Sequence, residues 1–303
     1  MTPVISTRGL TRTYGSIVGI EDLDLAVEAG EVFGFLGPNG SGKTTTIRLL
    51  LDFMRPTRGR AMLFGESTRD PAVRARIGYL PGELALDGRM SGHATLHYLD
   101  TLLPRAHRGR AARRAELTER LGLSGRDLTR RVREYSRGMK QRLALIAAFQ
   151  HDPDLLILDE PTEGLDPLIR ERVFDLMQEA RTRGATVFHS SHVLSEVDRT
   201  CDRVAILRRG RLAALMRVEE VRARSARRMV VEFDGDVAAS ELALDGVEVL
   251  ETDGRRMVLR VTGRPDALLA ALARHRVGYL AFPESTMEEA FARLYQGDAG
   301  VHT

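Results

Sequence analysis

Short apolar runs broken by polar residues fill the first thirty positions, a rhythm that predicts strands. "VISTRGL" and "LDLAV" read as two of them, separated by "TRTYGS" and "GIE". "EVFGFLG" is a stronger strand ending in a glycine-rich turn, and "KTTTIRLLLDF" then reads as a helix stopped near Pro56. "GRAMLFG" and "ARIGYL" predict further strands. From about Ser91 to Gln150 the pattern turns mainly helical. "LLILDE" has the continuous apolar run of a strand buried inside a parallel sheet. "PLIRERVFDLMQEARTRG" is a helix with a glycine stop, "ATVFHSSH" a strand, and "VLSEVDRTC" a short helix. "RVAILRRGRLAAL" closes this block.

The pattern shifts between Val218 and Arg228, in "VEEVRARSARR". Beyond it, "MVVEFD", "GVEVL", "RMVLRV" and "YLAFPES" read as strands or strand ends, and "PDALLAALARHRVG" and "TMEEAFARLYQG" as helices. This predicts two domains, 1–218 and 219–303, the second a small α+β module. Composition changes the picture little. The 303 residues carry 43% hydrophobic and 29% charged side chains and a formal charge of +3, too small to call for nucleic acid as a partner. A single cysteine, Cys201, excludes a disulfide framework and suits a reducing compartment. The N-terminus lacks the plan of a signal peptide. No run of about 18 apolar residues predicts a membrane span.

The chemistry lies in two strings. "GPNGSGKT", comprising Gly37, Pro38, Asn39, Gly40, Ser41, Gly42, Lys43 and Thr44, matches a phosphate-binding loop in full, between a strand and a helix that Thr45 continues. Glycines let successive N–H groups face an anion, and the helix N-terminus points at the same phosphates. Lys43 is expected to reach the β- and γ-phosphates, and the Thr44 hydroxyl to hold Mg²⁺. In "LLILDE", a buried strand ends in two carboxylates, costly unless a cation or water satisfies them. Asp159 is expected to serve the Mg²⁺ shell, directly or through water, and Glu160 to act as general base on the attacking water.

"YSRGMKQR", "LLILDEPTEGLDP" and "SSH", in this order after the phosphate loop, resemble the motifs of ATP-binding cassette (ABC) ATPases over about residues 4 to 217. The chain looks most like the ATPase subunits of bacterial ABC-2-type drug exporters, which pair with a separate permease; "HVLSEVD" and "MEEAFARLYQG" share in that likeness. The resemblance implies an α/β fold, a P-loop NTPase core with an antiparallel β subdomain and a helical lobe at about 84–150. It implies ATP and Mg²⁺ as cofactors. Partners would be a second nucleotide-binding subunit, simplest as a homodimer, and a transmembrane permease, at the cytoplasmic face of the membrane.

The resemblance also assigns residues. Ser136 and Gly138 match the signature turn that contacts ATP held by the other subunit. Arg137 stands at the usual first glycine, and Met139 at the usual glutamine, with Gln141 two residues on. His192 matches the switch histidine, whereas His189 falls on the strand and reads as structural. Gly164 and Asp166 match the inter-subunit loop, and Asp166 before Pro167 also reads as a helix cap. Tyr14 matches the aromatic that stacks on adenine. Gly82 departs from the family: it follows Pro81 where glutamine is usual, with Glu83 next. The backbone, a water or a shifted Glu83 are alternatives for the missing side chain. The implied function is ATP hydrolysis driving export. A soluble cassette ATPase acting on nucleic acid or ribosomes is the alternative, and a non-hydrolytic regulatory binder a third, against which Glu160 counts.

Overall fold

The computed structural model describes residues 2–104, 110–220, 227–262 and 264–282. Contacts divide the chain into two units, Met1–Leu215 and Met216–Thr303.

The first unit holds two sheets. β1 (Ile5–Tyr14), β2 (Ile17–Val27), β4 (Arg58–Leu63) and β5 (Glu66–Ser67) form an antiparallel sheet in the order β2-β1-β4-β5. β3 (Val32–Leu36), β6 (Ile77–Leu80), β7 (Leu155–Asp159), β8 (Thr186–Ser191), β9 (Arg203–Arg208) and β10 (Arg211–Arg217) form the other, in the order β10-β9-β3-β8-β7-β6. The pairs β9–β3, β3–β8, β8–β7 and β7–β6 are parallel. Every residue of β3, β7 and β8 is buried, as the unbroken apolar runs of β3 and β7 require. Phe33 stacks on Phe188 with ring centroids 5.8 Å apart, and Phe35 lies 5.2 Å from the same ring. Ile47 and Leu50 of α1 (Lys43–Leu50) and Ile20 and Leu23 of β2 belong to the same core.

α2 (Pro71–Arg74) is a single turn that precedes β6. The helical segment comprises α3 (Gly92–Thr101), α4 (Ala111–Arg120), α5 (Gly125–Thr129) and α6 (Arg137–Phe149). α3 and α4 pack on α6, which also meets β6. Serines begin three of these helices: the hydroxyls of Ser91, Ser124 and Ser136 accept from backbone N–H groups of the first turn. α7 (Pro167–Thr182) links β7 to β8, and α8 (Leu194–Thr200) links β8 to β9. Among the described residues no helix is long and apolar enough to cross a membrane.

Two local expectations need correction. β1 and β2 run through "TRTY" and "GIE", leaving only Gly15 and Ser16 as the turn. Register shifts between Thr7 and Leu10 and again near Arg12 break the alternation on which a strand is recognised, so its outer half reads as loop. α1 ends at Leu50, short of Phe53. Asp52 turns left-handed at φ 59°, and the Phe53 N–H reaches back to Arg48 O at 2.8 Å. This is the 6→1 closure that ends a helix.

The second unit is an antiparallel sheet in the order β12-β13-β11-β14, with β11 (Arg227–Phe233), β12 (Val247–Asp253), β13 (Arg256–Val261) and β14 (Val277–Ala281). Met229, Val231 and Phe233 alternate onto one face with Met257, Leu259 and Val261, against Leu268 and Leu272 of α9 (Asp266–Leu272). Val277 and Gly278, read as the end of a helix, belong to β14. The expected helix "TMEEAFARLYQG" lies outside the described residues.

Candidate functional site

The site forms where β3, β7 and β8 end side by side. At the end of β3 the chain turns through Gly40 and Gly42, at φ 78° and 111°, conformations that glycine adopts without strain. The turn brings the buried Lys43 back on itself: its Nζ donates to Gly37 O at 2.7 Å and Pro38 O at 3.3 Å. Beside it a cavity of about 270 Å³ is lined by Asn39, Gly40, Gly42, Lys43, Thr44 and Thr45, together with Tyr14 and Glu160. Ser41 Oγ is buried without a hydrogen-bond partner, outside the lining of that cavity. An ammonium and the N-terminus of a helix lining one cavity fit a phosphate group.

Parallel pairing supplies the acids. Register sets Asp159 of β7 opposite Ser190 of β8, and Ser190 opposite Phe35 of β3. Asp159, 1% exposed, accepts from Thr44 Oγ1 at 2.9 Å and from Ser190 Oγ at 2.5 Å. The paired Thr44 hydroxyl and Asp159 carboxylate are hard oxygen ligands of the kind Mg²⁺ takes, so these residues fit that ion. Glu160 turns left-handed at φ 50°, and its N–H donates to Ser190 Oγ at 3.0 Å. Its carboxylate lies 3.5 Å from Lys43 Nζ and 3.1 Å from Nδ1 of His192. The lysine, both acids and His192 thus converge from three strand ends.

Gly82 sits close to the acidic strand end. A Cβ there would stand 3.1 Å from Asp159 Oδ2, so glycine lets this loop backbone lie against the carboxylate. Both Gly82 and Glu83 are exposed. Tyr79, just upstream, has its hydroxyl pushed up to about 12 by burial, with a further rise from the Asp159 charge.

Tyr14 closes β1, with its hydroxyl donating to Met54 Sδ at 3.2 Å and the Arg12 guanidinium 4.9 Å from its ring. His189 is buried on β8, Nε2 3.0 Å from Cys201 Sγ. Burial holds the imidazole down at about 4 and pushes the thiol up to about 12, which keeps both neutral.

Ser136 and Gly138 do not line the phosphate-loop cavity of their own chain. Ser136 caps α6, accepting from Met139 N at 3.2 Å, and a Cβ on Gly138 would lie 3.2 Å from Gly164 O. Arg137 donates to Glu163 at 2.5 Å, and Asp166 caps α7 by accepting from Ile169 N at 3.0 Å. Two connections were not apparent from the sequence. Ser190 joins the Asp159 carboxylate to the Glu160 backbone N–H, and Gln141 Nε2 ties α6 to the carbonyls of Glu160 and Pro161 at 3.4 and 3.1 Å. Neither has a local signature, because each depends on which strands and helices become neighbours.

A phosphate loop and paired acids at the carboxyl ends of parallel strands define a P-loop nucleotide-binding cassette. The ABC transporter family model matches residues 20–163. Across 98% of its length the chain is 36% identical to a daunorubicin resistance ATP-binding protein, DrrA3, of Streptomyces coeruleorubidus, covering 97% of that protein. It is 34% identical to a Nod factor export ATP-binding protein I of Cupriavidus metallidurans, over 97% of this chain and 98% of that one. A solved ATP-binding subunit of an ABC transporter superposes with a TM-score of 0.67 at 30% identity, over 72% of this chain and 92% of the other. The chain belongs to the ABC transporter ATP-binding proteins, and is an ATPase.

Proposed function

We propose that this chain hydrolyses ATP to power export through a separate permease at the cytoplasmic face of the membrane. The observation that carries the chemistry is the convergence of Lys43, Thr44, Asp159, Glu160 and His192 at three adjacent strand ends. Export is supported by full-length likeness to the drug-resistance and Nod factor export proteins. The cargo class is left open by both.

The phosphates of ATP would occupy the cavity lined by Gly40, Gly42, Lys43, Thr44 and Thr45, drawing Lys43 from the carbonyls it now holds. Tyr14 would offer its face to the adenine ring. Thr44 and Asp159 would hold Mg²⁺, which neutralises charge on the β- and γ-phosphates. Glu160 takes a proton from the attacking water as the new bond to γ-phosphorus forms and the bridging P–O bond breaks, giving ADP and phosphate. His192, in contact with Glu160, keeps that carboxylate and the γ-phosphate in line.

Two copies would close head to tail. Gly138 lies against the Gly164 loop of its own chain, and neither Ser136 nor Gly138 lines its phosphate cavity, so an ATP they contact would belong to another copy. Gly164 and Asp166 would then sit between the two sites. The second unit is an accessory domain, and its removal after about residue 218 is expected to leave ATP binding intact. The test is Glu160→Gln. It should bind ATP normally, form a dimer with ATP by light scattering, and lose about 10²–10⁴-fold in phosphate release. Unchanged release would remove Glu160 as the base, and a scattering mass that stays monomeric would remove the dimer.

A further inference from the structure

Glu196 is a buried carboxylate that this chemistry leaves unused. It lies on α8, four positions beyond His192, and 7% of its surface is exposed. A carboxylate taken out of water needs donors. Thr162 Oγ1 donates to both of its oxygens, at 2.8 and 2.9 Å, and Ser191 Oγ donates to Oε2 at 3.0 Å. Arg170 Nε of α7 stands 3.7 Å from Oε1.

The positions of these donors matter. Thr162 lies two residues after Glu160, on the loop that leaves β7. Ser191 is the last residue of β8 and immediately precedes His192. Ser191 Oγ also accepts from the Val193 N–H at 2.9 Å, so the residues on either side of His192 are both tied down. One carboxylate therefore fastens the loop after β7 to the end of β8, close in sequence to Glu160 and His192, which meet at 3.1 Å. A cavity of about 210 Å³ is lined by Glu160 and His192 and equally by Thr162, Ser191, Arg170 and Glu196. The fastening and the Glu160–His192 pair thus border one cavity.

We propose that Glu196 is a positioning residue that sets the separation of Glu160 and His192. The proposal rests on the roles given to those two residues above. A carboxylate suits the task because its two oxygens accept from two hydroxyls at once, whereas an amide at the same place keeps one acceptor and turns the other position into a donor. Glu196 touches neither ATP nor water in this scheme, and it acts only through the segments it holds.

The test uses the full chain, with steady-state ATP hydrolysis and trinitrophenyl-ATP affinity measured for Glu196→Ala, Glu196→Gln, His192→Ala and the double variant Glu196→Ala with His192→Ala. Glu196→Ala should lower kcat by about tenfold with KM and nucleotide affinity held within about twofold, and Glu196→Gln should fall between it and wild type. In the His192→Ala background the same change should cost less than about twofold, because the pair it positions is already gone. Equal losses in the two backgrounds would overturn the proposal, as would lost affinity with kcat intact. Should His192→Ala by itself keep the wild-type kcat, the role of His192 falls and the positioning role with it, an outcome distinct from additive losses. If Glu196→Ala does not fold, Thr162→Val removes one donor at nearly constant volume. It should lower kcat about threefold with the same non-additivity, and an unchanged kcat would overturn the proposal.

Discussion

In the first unit a lysine, an aspartate, a glutamate and several hydroxyls are buried around the ends of β3, β7 and β8, whereas every buried side chain among the described residues of the second unit is apolar. The second unit puts its charges outside, where Arg228–Glu251, Arg256–Glu232 and Arg260–Glu248 pair across strands. Burying polar groups costs free energy unless each finds a partner, so a sheet built only for stability avoids them. The contrast separates two uses of a β-sheet. In one it is a hydrophobic platform. In the other it is a frame that sets hydroxyls and carboxylates at fixed distances.

That contrast can be attacked by substitution. Leu259→Ala, in the apolar core of the second unit, should cost about 2–5 kcal/mol of that unit's stability. Calorimetry should show it melting earlier, while ATP affinity stays at the wild-type value. A fall in affinity would mean that the units do not divide stability from binding as their interiors suggest. Ser190→Ala, in the first unit, deletes far fewer atoms but leaves an Asp159 oxygen and the Glu160 N–H unsatisfied. About 1–3 kcal/mol of stability should be lost, and phosphate release should fall with it. Loss of stability alone would make Ser190 a packing residue.

Acid should expose the buried imidazole. His189 is held at about 4 against an ordinary 6.5. The unfolded chain therefore takes up its proton first, so this contribution is complete above pH 6.5 and is lost as the pH falls toward 4. Unfolding midpoints at pH 7 and 5 should differ more in wild type than in His189→Gln, and equal differences would remove this histidine from the acid response. Least should come from Arg260→Ala on the charged face of the second unit, within about 1 kcal/mol for an exposed pair. A larger loss would show that this face does more than keep the sheet in water.

The phosphate loop was legible because its chemistry is contiguous: eight successive residues make the turn, the cation and the hydroxyl. The acidic pair was legible for the same reason. Ser190 was not, since its link to Asp159 and Glu160 exists only because β7 and β8 are neighbours in register. The outer halves of β1 and β2 were misread because bulges scramble the alternation that marks a strand. Gly82 was visible as a departure, but its contact with Asp159 needed three dimensions. The second unit read well as strands, because Met229, Val231 and Phe233 of "MVVEFD" alternate onto one face and "RMVLRV" is a short β-branched and apolar run.

The left-handed backbone at Glu160 has an evolutionary consequence. Such a conformation costs a side-chain-bearing residue on the order of 1–3 kcal/mol, and glycine, asparagine and aspartate tolerate it best. None of the three carries a carboxylate at glutamate's reach. On the general-base role proposed for Glu160, selection for turnover would hold position 160 in a strained state that drift would otherwise abandon. A duplicated gene released from hydrolysis is expected to slide toward one of those three residues, so that retired copies could be told from working ones by a single codon.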